Sequence, residues 1–328
     1  MKAVYISEFG ENGSIGLRDV PDPSTPNGSE VLVRVRAAGL NRADLLQRLG
    51  LYPPPPGYSP NIPGMEFAGE IAAIGRDATG WKIGDRVFGI TAGEAQAESL
   101  LIDASLLAAI PPDLDIVEAA AIPEVFITAH DALFTQAGLK SGETLLVHAV
   151  GSGVGLAALQ LAKAAGAVVI GTSRTSSKLE KCREYGLDTT IVAAGPVDFA
   201  RVVLDVTGGR GADVILDLVG GTYLNENLNC LAGKGRLMLV GLTAGRSAEL
   251  NMGLVLARRA HIIGTVMRPR TVVEKAATVS AFAADVIPLL ESGKVRPNVD
   301  RVFPAGEAGL AYRYLQSNES FGKVILEF

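Results

Sequence analysis

The chain has 328 residues, 48% hydrophobic and 20% charged, with 38 glycines, 17 prolines and a formal net charge of −5. That length points to about two domains, the composition excludes a disordered chain, and the acidity, with a pI near 5.4, excludes a basic nucleic-acid surface and leaves a small molecule as the expected partner. Two cysteines, Cys182 and Cys230, exclude a disulfide framework, and neither a signal peptide nor an apolar run of about 20 residues is present, so a cytoplasmic protein without a membrane anchor is expected.

In chain order, Val31 to Ala37 alternates apolar and polar residues as a half-buried strand does, and a helical stretch follows from Arg42 to Gly50. The run Tyr52-Pro53-Pro54-Pro55-Pro56-Gly57 excludes helix and predicts a rigid extended loop. Gly64 to Ile71 and Gly84 to Gly89 read as short strands cut by glycine turns, the pattern of a small barrel-like β domain.

After about residue 123 strands alternate with helices, which predicts a doubly wound parallel sheet. Strands are expected at Thr144–Ala149, Ala167–Ser173, Thr189–Val192, Asp213–Val219, Arg236–Leu242 and His261–Val266. Helices are expected at Val154–Ala165, Ser177–Tyr185, Phe199–Thr207 and Tyr223–Leu231. The tail from Val272 predicts a long helix, a shorter one at Ala305–Gln316 and a last strand at Lys323–Glu327, returning to complete the first domain. The expected fold is thus α/β, with residues 124–266 forming a Rossmann domain and residues 1–123 and 267–328 a β-rich catalytic domain.

Ala149-Val150-Gly151-Ser152-Gly153-Val154-Gly155 joins a hydrophobic strand to an amphipathic helix, the context in which a glycine turn brings backbone N–H groups and a helix N-terminus to a pyrophosphate. Ser152, Gly153 and Val154 are the expected contacts. At the end of the next strand, where an NAD site carries an acid for the ribose hydroxyls, stand Ser173 and Arg174, with Lys178 one turn on. These hydroxyl and cationic donors suit a 2′-phosphate and predict NADPH; the bland alternative is a solvated pair of cations at a helix start. Gly220, Gly241 and Leu242 close two further strands, either to admit the nicotinamide half or as ordinary turn residues.

Asn41 to Arg48, Tyr52 to Gly57, Ile215 to Gly221 and Gly322 to Glu327, with the Ser-Gly-Val-Gly turn, resemble the quinone oxidoreductase family of the medium-chain dehydrogenases/reductases, closest to the branch typified by the tumour-suppressor-inducible quinone oxidoreductase. The resemblance covers nearly the whole chain. It implies a GroES-like catalytic domain, an inserted Rossmann domain and a homodimer joined by Rossmann sheet edges. It also implies substrate roles for Tyr52 and Asn41, a nicotinamide contact at Thr128, an orienting role for Asp44 and a cofactor contact at Lys323. The segment Glu94 to Ser99 departs from the family by lacking both of its usual tyrosines.

Zinc-dependent relatives need tetrahedral sulfur and nitrogen ligands. Here the catalytic cysteine position is Asn41, the Gly-His-Glu motif reads Gly64-Met65-Glu66, and two cysteines cannot build a four-cysteine lobe. No metal is expected, and His130, His148 and His261 read as core or capping residues. The resulting expectation is a zinc-independent NADPH:quinone oxidoreductase. An NADPH-dependent enoyl or alkenal reductase and a non-catalytic, crystallin-like NADPH-binding protein remain as alternatives.

Overall fold

The computed structural model describes residues 1–195 and 198–328. The chain divides into two compact units, Met1–Ile127 with Met267–Phe328, and Thr128–Val266.

The first unit begins with β1 (Lys2–Ile6), β2 (Ile15–Asp19), β3 (Glu30–Gly39), α1 (Arg42–Arg48), β4 (Glu66–Ile74), β5 (Arg86–Ile90), β6 (Ser99–Asp103), β7 (Leu107–Ala109), α2 (Ile116–Ala119) and the start of α3 (Pro123–His130). In β3 the expected alternation is realised, with Val31, Val33 and Val35 turned into a core completed by Phe67, Ile71 and Leu100. The strand is longer than the sequence pattern suggests because Ala37, Ala38 and Gly39 are small enough to continue it between two neighbours.

The second unit holds β8 (Thr144–Val147), α4 (Gly153–Ala164), β9 (Val168–Ser173), α5 (Ser176–Arg183), β10 (Thr189–Val192), α6 (Phe199–Val206), β11 (Ala212–Asp217), α7 (Tyr223–Cys230), β12 (Leu231–Leu239), α8 (Met252–Arg258) and β13 (His261–Gly264). Its six strands are all parallel, in the order β10-β9-β8-β11-β12-β13. The order reverses between β8 and β11, and in such sheets the ligand crevice lies outside the carboxyl ends of the strands at that point. Buried runs such as Leu145-Leu146-Val147 and Val214-Ile215-Leu216 fit strands covered on both faces.

Back in the first unit come α9 (Val272–Glu291), β14 (Val299–Pro304), α10 (Ala308–Ser317) and β15 (Lys323–Glu327). Strand β15 pairs parallel with β14 and antiparallel with β3, in a sheet ordered β14-β15-β3-β4-β5-β7, with β6 also on β3. Ile325 is paired with Gly39, and Leu40 N–H donates to Val324 O at 2.9 Å. This register delivers Lys323 to the end of β3. Among the described residues no helix is long and apolar enough to cross a membrane.

Candidate functional site

In the second unit the turn after β8 is tightly built. Ala149 adopts a φ of +50°, a left-handed conformation that is uncommon outside glycine and often concentrated at functional turns. Gly155 must lack a side chain, since a Cβ there would lie 2.5 Å from Ala149 O and 2.7 Å from Val150 Cα. Ser152 caps α4, its Oγ accepting from Gly155 N–H at 3.2 Å. The Gly153 and Val154 amides, first in the helix, have no acceptor among the described residues. Two free donors at the N-terminus of a 12-residue helix fit the pyrophosphate of a dinucleotide.

Ser173 ends β9, Arg174 is exposed and Lys178 lies half-buried in the first turn of α5. No acid stands at this strand end. Gly220 and Leu242 adjoin, for a Cβ on Gly220 would lie 2.7 Å from Leu242 Cδ2, and Gly241 N–H donates to Asp217 O at 3.1 Å. Asp217 organises this region: Oδ1 accepts from Val219 and Gly220 N–H, and Oδ2 from Asn227 Nδ2. His148, fully buried, spans Thr172 Oγ1 and Asn227 Oδ1 at 3.0 and 2.6 Å. Burial holds its pKa below the usual value, against the opposing pull of Asp217 and Asn227. A neutral ring that donates through Nε2 and accepts at Nδ1 satisfies both contacts. His148 is thus a core histidine, as expected, whereas His261 is exposed at the start of β13. Thr128, half-buried in α3, is the first residue of this unit.

The first unit carries a separate polar cluster. Asn41 caps α1 and donates from Nδ2 to Glu66 Oε1 at 2.8 Å, leaving one amide hydrogen for a ligand. Glu66, at the start of β4, is fully buried, and its approach depends on bare backbone, because a Cβ on Gly39 would lie 2.4 Å from Oε1. Lys323 Nζ reaches Leu40 O at 2.7 Å, Asn41 Oδ1 at 2.9 Å and Glu66 Oε1 at 2.5 Å. Three partners within its own unit thus use the three protons of the Lys323 ammonium.

Asp44 accepts from Asn41 N–H at 2.8 Å and Gly64 N–H at 3.1 Å, the orienting role expected of it. Burial raises its pKa to about 6, opposed by those hydrogen bonds and by Arg268 and Lys323. Arg268 donates to Ala92 O, Tyr52 O and Gln47 Oε1, and its guanidinium lies 5.1 Å from the centre of the Tyr52 ring. The tyrosine is anchored by backbone and ring, and its hydroxyl has no hydrogen-bond partner among the described residues. Burial raises the Tyr52 pKa, with Arg268 opposing and Glu124 reinforcing. Glu124, Arg268 and Lys275 were not singled out by sequence, since none of them stands in a recognisable motif.

A zinc-binding dehydrogenase family model matches residues 153–283, and an alcohol dehydrogenase GroES-like domain matches residues 27–131. The quinone oxidoreductase of Pseudomonas aeruginosa is 32% identical over 99% of this chain and 99% of its own length. A solved quinone oxidoreductase of Pseudomonas syringae superposes with a TM-score of 0.88 at 29% identity, covering 100% of this chain and 99% of the other. The CurK enoyl reductase superposes with a TM-score of 0.87 at 28% identity, covering 99% and 98%. The first unit is accordingly a GroES-like domain and the second a Rossmann-like domain. The residues present do not fit the zinc ion of the first family model's description. No group of three or more His, Cys, Asp or Glu side chains that could hold a metal occurs among the described residues, and the Glu66 carboxylate is taken by a lysine ammonium.

Proposed function

We propose, for a chain that belongs to the quinone oxidoreductase family of the medium-chain dehydrogenases/reductases, the function of a zinc-independent, NADPH-dependent reductase of quinones. The observation that carries this reading is the Asn41–Glu66–Lys323 cluster, in which an amide and an ammonium surround the buried carboxylate that stands at the metal-ligand position. Without a Lewis acid, reduction suits an acceptor that is already electrophilic, and a quinone is one.

A nicotinamide cofactor supplies hydride when bound. Gly153 and Val154 N–H, with Ser152, would hold its pyrophosphate, and Ser173, Arg174 and Lys178 its 2′-phosphate. Thr128, Gly220, Gly241 and Leu242 are the proposed contacts of its nicotinamide half. The free Tyr52 hydroxyl and the remaining Asn41 amide hydrogen would steady the acceptor oxygen as negative charge develops. For assembly, a homodimer is proposed through β13, an edge strand of the six-stranded sheet, beside α8 with its exposed Met252 and Leu256.

The likeness to the CurK enoyl reductase favours a second reading, hydride addition to an activated C=C bond. Parallel assays of NADPH and NADH oxidation with ortho-quinones, para-quinones and an enone test both. Preferential NADPH oxidation by quinones supports the first, and turnover confined to the enone replaces it with the second. Tight NADPH binding with no acceptor reduced, or stoichiometric zinc in active protein, overturns both.

A further inference from the structure

The loop after α1 cannot hold itself. Pro53 to Pro56 carry no backbone N–H, so four consecutive residues have no donor with which to tie the segment down, and Tyr52 at its start depends on groups elsewhere in the chain. One side chain meets that need. Arg268, 3% exposed, lies just after Met267, where the chain returns to the first unit. Its Nε donates to Ala92 O, between β5 and β6, at 2.7 Å, its Nη1 to Tyr52 O at 2.8 Å, and its Nη2 to Gln47 Oε1 on α1. Gln47, 1% exposed, extends the hold by donating from Nε2 to Pro60 O at 2.8 Å. The two residues therefore pin the segment 52–60 at both ends, against the helix whose N-cap is Asn41.

The three acceptors of Arg268 are neutral oxygens, and it makes no ion pair among the described residues. A buried cation with no carboxylate in contact is a costly way to fill volume, and packing alone would select an apolar side chain. What a guanidinium offers instead is direction, with donors fixed in one plane that reach three acceptors at once. The same group lies 5.1 Å from the centre of the Tyr52 ring, so one side chain sets both the backbone and the ring of that tyrosine. The hydroxyl is left unbound.

Building on the reductase reading, we propose that Arg268, with Gln47, is the positioning residue of the site: acting through Tyr52, it fixes where the hydroxyl stands relative to the Asn41 amide, so that both donors meet the acceptor oxygen. Arg268 neither gives nor takes a proton in this role. Donors held in place before the reaction cost no reorganisation as charge develops, and a shift of about 1 Å can cost up to about 100-fold in rate. Lysine would keep the charge and lose the fork, so Arg268→Lys isolates geometry from electrostatics.

The test is a mutant cycle on turnover of a quinone and an enone, with NADPH binding followed by fluorescence titration. Arg268→Lys is expected to lower kcat about tenfold, the scale of one misplaced donor, with NADPH affinity unchanged. In the Tyr52→Phe background the same substitution should change kcat by no more than about twofold, since no hydroxyl remains to be misplaced. A purely structural role would give equal losses in the two backgrounds, and that result overturns the proposal. Wild-type kcat in Arg268→Lys or in Tyr52→Phe also overturns it, and each of these outcomes leaves the reductase reading intact. A wild type that reduces neither acceptor overturns both. Should Arg268→Lys fail to fold, Gln47→Met replaces it in the same cycle, for it keeps the volume and breaks the ties to Arg268 and Pro60. A loss of kcat that disappears in Tyr52→Phe then supports the proposal, and an unchanged kcat or an equal loss in both backgrounds rejects it.

Discussion

The Lys323 ammonium rests 2.5 Å from Glu66 Oε1, with the two side chains 4% and 0% exposed. β15 and β4 both flank β3, and the pair joins their facing ends. Removing one member of such a pair leaves the other charge stranded, which costs about 3–5 kcal/mol, whereas removing both costs far less. Lys323→Met is expected to lose about that much in urea unfolding, and Lys323→Met/Glu66→Gln to recover roughly half or more. Additive losses would mean that the carboxylate and the ammonium are stabilised independently.

Tyr52 separates anchoring from chemistry. Its carbonyl and ring are held by Arg268 while its hydroxyl is unbound. Phenylalanine keeps both anchors, so Tyr52→Phe should leave stability within about 0.5 kcal/mol. Quinone turnover should fall about tenfold or more if the hydroxyl supports the developing charge. A destabilised variant with normal kcat would assign the hydroxyl to the loop instead of the reaction.

The elements best read from sequence are those whose side chains carry a complete pattern. β10 lies at Thr189–Val192 and β15 at Lys323–Glu327, as expected, and α6 ends one residue early at Val206. β12 begins at Leu231 rather than Arg236, because Leu231 already pairs with Ala212 of β11, while Gly233-Lys234-Gly235, which reads as a turn, lies in the register break before Arg236, with Lys234 at a φ of +65°. α8 escaped notice since it is only seven residues long and none of them is buried. β1, β2, β6, β7 and β14 are strands of three to six residues, too short to carry a full alternation, and β6 and β7 pair with strands that are not their neighbours in sequence. The same reason hid the polar cluster. Asn41 and Tyr52 stand in recognisable motifs, but only the β15–β3 register sets Lys323 against Glu66. Nothing local distinguishes Glu124 or Lys275 from solvated helix charges.

Arg174 is exposed at the end of β9 with no acid beside it. A charge-assisted bond to a 2′-phosphate contributes about 1.5–3 kcal/mol, so its loss should reduce discrimination about tenfold or more. Arg174→Ala is expected to weaken NADPH binding by that factor and to leave NADH binding nearly unchanged, as measured by fluorescence titration. An unaltered ratio of the two affinities would make Arg174 a solvated charge at a helix start.

Glu124 gives stability a pH dependence of unusual sign. Most carboxylates in folded proteins are held down, as Asp103 and Glu143 are here by their hydrogen bonds against the cost of burial, and their contribution is lost as acid is added. Glu124 is held up, from 4.5 in the unfolded chain to about 8 in the native protein. Across that window the native state binds the extra proton, so stability contributed below 4.5 is lost as pH rises through about 8. A tenfold difference in proton affinity between the two states corresponds to about 1.4 kcal/mol before allowance for partial solvent contact. Other groups titrate in the same range, His148 with the opposite sign below 6.5, so the prediction concerns the difference between two proteins. Chemical unfolding of the wild type and Glu124→Gln at pH 5, 7 and 9 should show the variant gaining relative stability with each step, by a few kcal/mol in all. A constant difference would mean that Glu124 ionises alike in the folded and unfolded chains.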